Sequence, residues 1–209
     1  MPAAEGRIVV LNGAPRAGKS SIAAALQART DAVWLNLGVD AFAVVTPPRL
    51  LPGIGLRPGG ERPEVAAVVP VLYAALYEAA AAASRLGLDV VVDVGHHEES
   101  GAPPGILADC ARRLAGLPAY LVGVRCPLPA IMARRRAVQP GREGLYAAAP
   151  EGEPVPEPVL AWQRAVHDPG VYDLELDTSA LDAEACAAAI LRRLGDPAPP
   201  AAFARLAAA

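Results

Sequence analysis

The stretch RIVVLNGAPRAGKSSI, residues 7–22, constrains this chain more than any other. Residues 7–11 form a largely β-branched apolar run, the composition of a strand buried on both faces. KSSIAAALQAR then sets Ile22, Ala25 and Leu26 at i, i+3 and i+4, one face of a helix that begins near Lys19. The connection between them, GAPRAGKS, satisfies G-x-x-x-x-G-K-[ST] through Gly13, Gly18, Lys19 and Ser20. A strand that turns into a helix through such a loop makes a nest of backbone N–H groups, and the helix N-terminus adds partial positive charge. Gly13, Ala14, Pro15, Arg16, Ala17, Gly18, Lys19, Ser20 and Ser21 are therefore expected to wrap the phosphates of a nucleotide. In that arrangement Lys19 reaches the β- and γ-phosphates and the Ser20 hydroxyl holds Mg²⁺. Lys19 is also the single lysine of the chain, all its other Lys/Arg positions being arginine. A compact ammonium fits a closed nest that a planar guanidinium does not, so this is the position where drift toward arginine does most damage.

The rest of the chain repeats the strand-then-helix pattern. Strands are expected at 32–38, 88–95, 119–126 and 172–177, and helices at about 64–86, 105–115, 129–137, 157–167 and 182–194. Pro70 is expected to bend or divide the first of those helices. The Pro/Gly-dense segments 46–63 and 139–158 read as loops, and the residues after 194 as a frayed tail. About five alternations predict an α/β fold, a three-layer α/β/α sandwich around a five-stranded parallel sheet. Residues 1–195 then form one domain with a lid near 129–156, followed by a tail at 196–209. In such a fold ligands gather outside the C-terminal ends of the strands, where Asp40 and Asp93 fall.

Composition narrows the class. A formal net charge of −3 and a pI near 5.6 leave no basic field for nucleic acid or an anionic membrane. The alanine-rich segment at 71–87 carries Glu78 and Arg85, which suits a packed helix rather than a membrane span. Three widely spaced cysteines, Cys110, Cys126 and Cys186, suit a reducing cytoplasm, and the N-terminus lacks the pattern of a secretion signal. No N-K-x-D guanine motif can be written without a second lysine. A compact chain of this kind points to a kinase for a small hydroxylated acceptor, as a single copy or an assembly of identical copies.

The combination IVVLNGAPRAGKSSI, WLNLGVDAF, VVVDV, YLVGVRC and VHDPGVYDLELDTS resembles the chloramphenicol phosphotransferase-like family of small P-loop kinases. The resemblance implies a P-loop kinase fold and ATP- and Mg²⁺-dependent phosphorylation of a small-molecule hydroxyl, an antibiotic in the founding case. It places a catalytic base at Asp40; the residue could instead cap a helix starting at Ala41. Asp93 either holds Mg²⁺, shapes the acceptor pocket or ends its strand. Phe42 and His96 are expected at the acceptor. The family's lid arginines correspond to Arg134 and Arg142, with Arg135 or Arg136 taking a further place, although the R-G-D-R pattern is broken here and an arginine run is often a solvated face. Asp177 and Thr178 either approach adenine or cap their loop. His96, His97 and Glu98 lack metal-ligand spacing and read as substrate contacts. Other readings are a kinase of a sugar, sugar acid or nucleotide sugar, and a nucleotide-binding protein without transfer activity.

Overall fold

A computed structural model describes residues 4–53, 62–97, 105–137, 149–150 and 152–208. Five strands, β1 (Ile8–Asn12), β2 (Trp34–Gly38), β3 (Asp89–Val94), β4 (Ala119–Arg125) and β5 (Leu174–Asp177), form one sheet in the order β2-β3-β1-β4-β5. Every pairing is parallel. The described helices are α1 (Lys19–Arg29), α2 (Val39–Val45), α3 (Val69–Arg85), α4 (Ile106–Arg113), α5 (Leu128–Arg136), α6 (Glu157–Ala165), α7 (Ala183–Leu194) and α8 (Ala202–Ala208).

The period of two in β1 explains the three layers. Val9 and Leu11 enter a core shared with Ile22 and Leu26 of α1 and Ile190 of α7, while Ile8 and Val10 enter a second core with Leu76 of α3, Leu107 of α4 and Phe203 of α8. Both faces of the strand are thus apolar, as its continuous β-branched run requires. The expected three-layer sandwich with its five-stranded parallel sheet is the observed fold, and the alternation of strand and helix places every crossover over one face or the other.

Two expectations change. Pro70 does not bend or divide a helix: it sits in the first turn of α3, where its missing N–H costs nothing, and a short 3₁₀ turn at Pro63–Val65 stands apart before it. The expected frayed tail instead carries a packed helix, α8. Residues Ala202, Phe203 and Leu206 of α8 are buried against the α3/α4 face. The Asp173 carboxylate, ahead of β5, accepts hydrogen bonds from the backbone N–H groups of Ala201 (2.7 Å) and Ala202 (3.1 Å), supplying a cap from a distant part of the chain. Arg193 donates to the carbonyls of Ala198 (2.9 Å) and Pro199 (3.2 Å) and steers the intervening segment. Among the described residues no helix is long and apolar enough to cross a membrane.

Candidate active site

The loop after β1 needs two glycines for different reasons. A Cβ at Gly13 would overlap the carbonyl oxygen of Val124 on neighbouring β4, so packing excludes any side chain there. Gly18 has φ 101°, in the left-handed region, and its turn delivers the chain into α1. Arg16 also has positive φ, 74°, an uncommon conformation for a residue with a Cβ. The buried Ala14 and Ala17 fasten the loop to the core.

Lys19 opens α1 and folds back over the loop. Its Nζ donates to the carbonyls of Gly13 (2.9 Å) and Ala14 (3.1 Å) and stands 3.5 Å from Oδ1 of Asp93. The Ser20 hydroxyl donates to the other Asp93 oxygen at 2.7 Å. Asp93 occupies this position because β3 lies between β1 and β2, in register with Leu11 on one side and Gly38 on the other. The carboxylate and hydroxyl together form the hard oxygen set that suits Mg²⁺ shared with phosphate oxygens. The N-terminus of α1 has neither a side-chain cap nor an acidic residue in its first turn, so its leading N–H groups suit an anion. The loop residues present therefore fit a nucleotide with its metal.

Arg134 reaches the same loop from α5. One nitrogen donates to the carbonyl of Ala17 (3.1 Å) and to the Thr178 hydroxyl (3.0 Å), and the other to the Thr178 carbonyl (2.6 Å). The Thr178 hydroxyl in turn donates to Ala17 O at 2.7 Å. In return Arg16 Nε donates to the carbonyl of Arg134 at 3.0 Å. These contacts bind the phosphate loop to the segment after β5, on the far edge of the sheet. Asp177 acts on its own turn instead. Its carboxylate accepts from the N–H (2.8 Å) and hydroxyl (2.6 Å) of Ser179, and those bonds hold its pKa below the usual range. It is absent from the cavity lining, whereas Thr178 lines it. Arg136 is exposed at the end of α5 and is likewise absent from the lining. Arg142 and Glu98 lie outside the described residues.

Asp40 sits in the first turn of α2, whose N-cap is Gly38. The helix begins at Val39 rather than Ala41, so Asp40 does not occupy the capping position. It is solvent-exposed and lines the same cavity as Gly13, Gly18, Lys19, Ser20 and Asp93. That cavity, about 1050 Å³, runs across the C-terminal ends of the strands from α2 and α3 to the start of α7. Phe42 and His96 also line it. His96 is buried against Tyr73 and Tyr77, and His97 packs edge-on to Trp162.

The match to a family model decides the family: chloramphenicol phosphotransferase-like protein, over residues 6–195. The chain belongs to the chloramphenicol phosphotransferase-like family. A Mycobacterium tuberculosis protein provisionally named an O-phosphotransferase is 27% identical over 190 residues, covering 84% of this chain and 76% of the relative. The M. tuberculosis APS kinase bound to AMPPNP and APS is similar in fold, with a TM-score of 0.63 at 19% identity over 92% of this chain and 99% of the kinase. Acinetobacter baumannii shikimate kinase in complex with shikimate gives a TM-score of 0.56 at 15% identity, covering 90% and 92% respectively. This member of the family is accordingly a small-molecule phosphotransferase with a P-loop kinase fold.

Several residues of the site carried weak sequence signals. Asn12, the last residue of β1, is buried and accepts from the His96 N–H at 2.6 Å while donating to Val166 O at 2.8 Å. A polar residue closing an apolar strand was its only mark. Tyr73 and Tyr77, four apart on α3, carried the spacing of one helical face but nothing that pointed to the cavity.

Proposed function

We propose that this protein transfers the γ-phosphoryl group of ATP, with Mg²⁺, to a hydroxyl of a small molecule, with Asp40 as general base, in the cytoplasm. An antibiotic alcohol is the acceptor type carried by the family's name, and we extend it to this chain as a resistance kinase. The observation that carries the reading is that Asp40 and the Lys19–Ser20–Asp93 cluster line one cavity while reaching it from different strand ends.

ATP supplies the transferable group; Ser20 and Asp93 would hold Mg²⁺, which would neutralise phosphate charge when bound. The loop N–H groups and Lys19 bind and orient the phosphates, and Lys19 opposes the charge that develops on them. Asp40 orients the attacking hydroxyl and accepts its proton on a carboxylate oxygen. Asp40 is solvent-exposed at the start of α2 and lines the same cavity as the phosphate-binding cluster. Arg134 ties the loop to the Thr178 segment, which we assign to the nucleoside side of the cavity. Thr178 lines the nucleoside side.

Asp40→Asn tests the assignment because it preserves shape while removing the proton acceptor. Turnover is expected to fall about 10²- to 10⁴-fold with AMPPNP affinity unchanged. Phosphorylation is followed by ³¹P NMR across a screen of hydroxylated antibiotics, sugars and nucleosides. Retained turnover in Asp40→Asn removes the base assignment. Nucleotide binding without transfer to any compound removes the phosphotransferase reading of the cavity.

A further inference from the structure

An arginine stands in the phosphate loop where the turn favours glycine. The Ala17 N–H donates to the Ala14 carbonyl at 3.0 Å, closing a turn with Pro15 and Arg16 at its centre. Arg16 has φ 74°, and proline followed by a residue of positive φ is the pattern of a type II turn, whose second central position is ordinarily glycine. The backbone there carries a steric cost that a residue without a Cβ avoids. Strain of this kind persists only where the surrounding contacts over-determine it, and here the contacts of the side chain do so.

The Arg16 side chain reaches the C-terminal end of α5. Its Nε donates to the Arg134 carbonyl at 3.0 Å, and its Nη2 donates to the same carbonyl and, at 3.3 Å, to that of Ala137. Carbonyls in the last turn of a helix lack intrahelical donors and form the negative end of the helix dipole, so a guanidinium suits them twice over. Ala133 O accepts from the Ala137 N–H at 3.1 Å, and Arg16 serves the next carbonyl along. The Arg134 side chain returns the contact. Its Nη1 donates to the carbonyls of Arg16 (3.3 Å) and Ala17 (3.1 Å) and lies 3.5 Å from the place a Cβ would take at Gly18. The two arginines form a closed clasp: Arg16 holds the backbone of Arg134, and Arg134 lays its charge across the loop at the start of α1, where both line the cavity.

We infer that Arg16 is a positioning residue for the nucleotide, fixing the end of α5 so that the Arg134 guanidinium stays at the mouth of the phosphate loop. This rests on the reading of that loop as the nucleotide site. Arg16 acts through Arg134 and not on the reacting atoms, so its effect falls on nucleotide affinity. The coupling is reciprocal: whatever factor a fixed α5 adds to nucleotide affinity, bound nucleotide adds to the fixing of α5.

Arg16→Gly in the full chain tests it, because glycine accepts φ 74° and leaves the turn able to form. AMPPNP affinity by calorimetry is expected to fall about tenfold, the loss of one charge-assisted hydrogen bond. The KM for ATP should rise by a similar factor, with kcat held within about threefold. In a double-mutant cycle the same substitution made in Arg134→Ala should change AMPPNP affinity by less than about twofold, since the group it positions is gone. In nucleotide-free protein, hydrogen exchange at the Ala137 N–H should be about tenfold faster in Arg16→Gly, and AMPPNP should slow that exchange more in the wild type than in the variant. AMPPNP affinity of Arg16→Gly within about threefold of wild type overturns the inference. A full tenfold loss in the Arg134→Ala background also overturns it, since Arg16 would then act on the phosphates by itself, and so does unchanged exchange at Ala137. Failure of the wild type to bind AMPPNP would instead strike the kinase reading, and the exchange measurement on free protein would still decide the clasp.

Discussion

Lys19→Arg separates charge from shape at the one position where this chain uses lysine. In the wild type, the ammonium lies within 2.9 and 3.1 Å of two loop carbonyls and 3.5 Å from Asp93, and its side chain is only 10% exposed. At 3.5 Å, in an effective dielectric near 20, the attraction to Asp93 is about 5 kcal/mol before desolvation is counted. Arginine keeps that charge, so folding should survive: the melting temperature is expected to move by no more than about 3 °C. The planar fork cannot sit inside carbonyls that already contact a single nitrogen, and the guanidinium must stand off from the phosphates. Loss of one well-aligned donor to developing phosphate charge costs about 2.7–4 kcal/mol, or 10²- to 10³-fold in turnover. Phosphorylation by ³¹P NMR, AMPPNP affinity by calorimetry and thermal melting would be measured together. As a control, Arg192→Lys on the exposed side of α7 should change none of them. A Lys19→Arg protein with turnover within threefold of wild type would refute the argument from shape.

Phe203→Ala tests whether the C-terminal helix is part of the core: the ring is 5% exposed and edge-on to Tyr77, so about 3–5 kcal/mol of stability should be lost in urea unfolding. A loss below about 1 kcal/mol would mean that α8 is dispensable. Stability should also depend on pH below neutrality. Burial holds the pKa of His96 at about 3 and, with Arg125 adding to the effect, that of His167 at about 4, so between those values and 6.5 the unfolded chain binds more protons than the folded one. Stability is therefore fully present above about pH 6.5 and falls as the solution is acidified. At pH 5 His96 alone should contribute a slope near 1.4 kcal/mol per pH unit, with His167 adding less because it is only partly buried. Urea unfolding from pH 7 to 4.5 should show a shallower dependence in His96→Phe than in wild type, and identical slopes would count against a neutral buried imidazole.

The legibility of this protein followed the range of its interactions. The phosphate loop was readable because its requirements are local: a buried strand, a glycine at a left-handed φ, a helix N-terminus and one ammonium within a dozen residues. Asp93 was readable as a strand-end carboxylate, but its bonds to Lys19 and Ser20 exist because β3 is inserted between β2 and β1, a strand order that no local periodicity encodes. Arg134 stood out within an arginine run, yet its selection over Arg136 depends on Ala17 and Thr178, which lie far from it in the chain. The tail shows the same limit from the opposite direction. The residues after 194 read as a frayed chain end, and the cap that starts α8 comes from Asp173, well before it.

By itself, then, the sequence determined the class of fold, the phosphate-binding element and the two carboxylates at strand ends, because backbone turns, side-chain periodicity and burial act between neighbours. Tertiary structure alone decided which cation reaches the loop, that α8 packs into the core, and that His96 meets Tyr77 beside the cavity. Those outcomes depend on close contacts between segments far apart in sequence, where a shift of an ångström or two in helix packing makes or breaks the hydrogen bond.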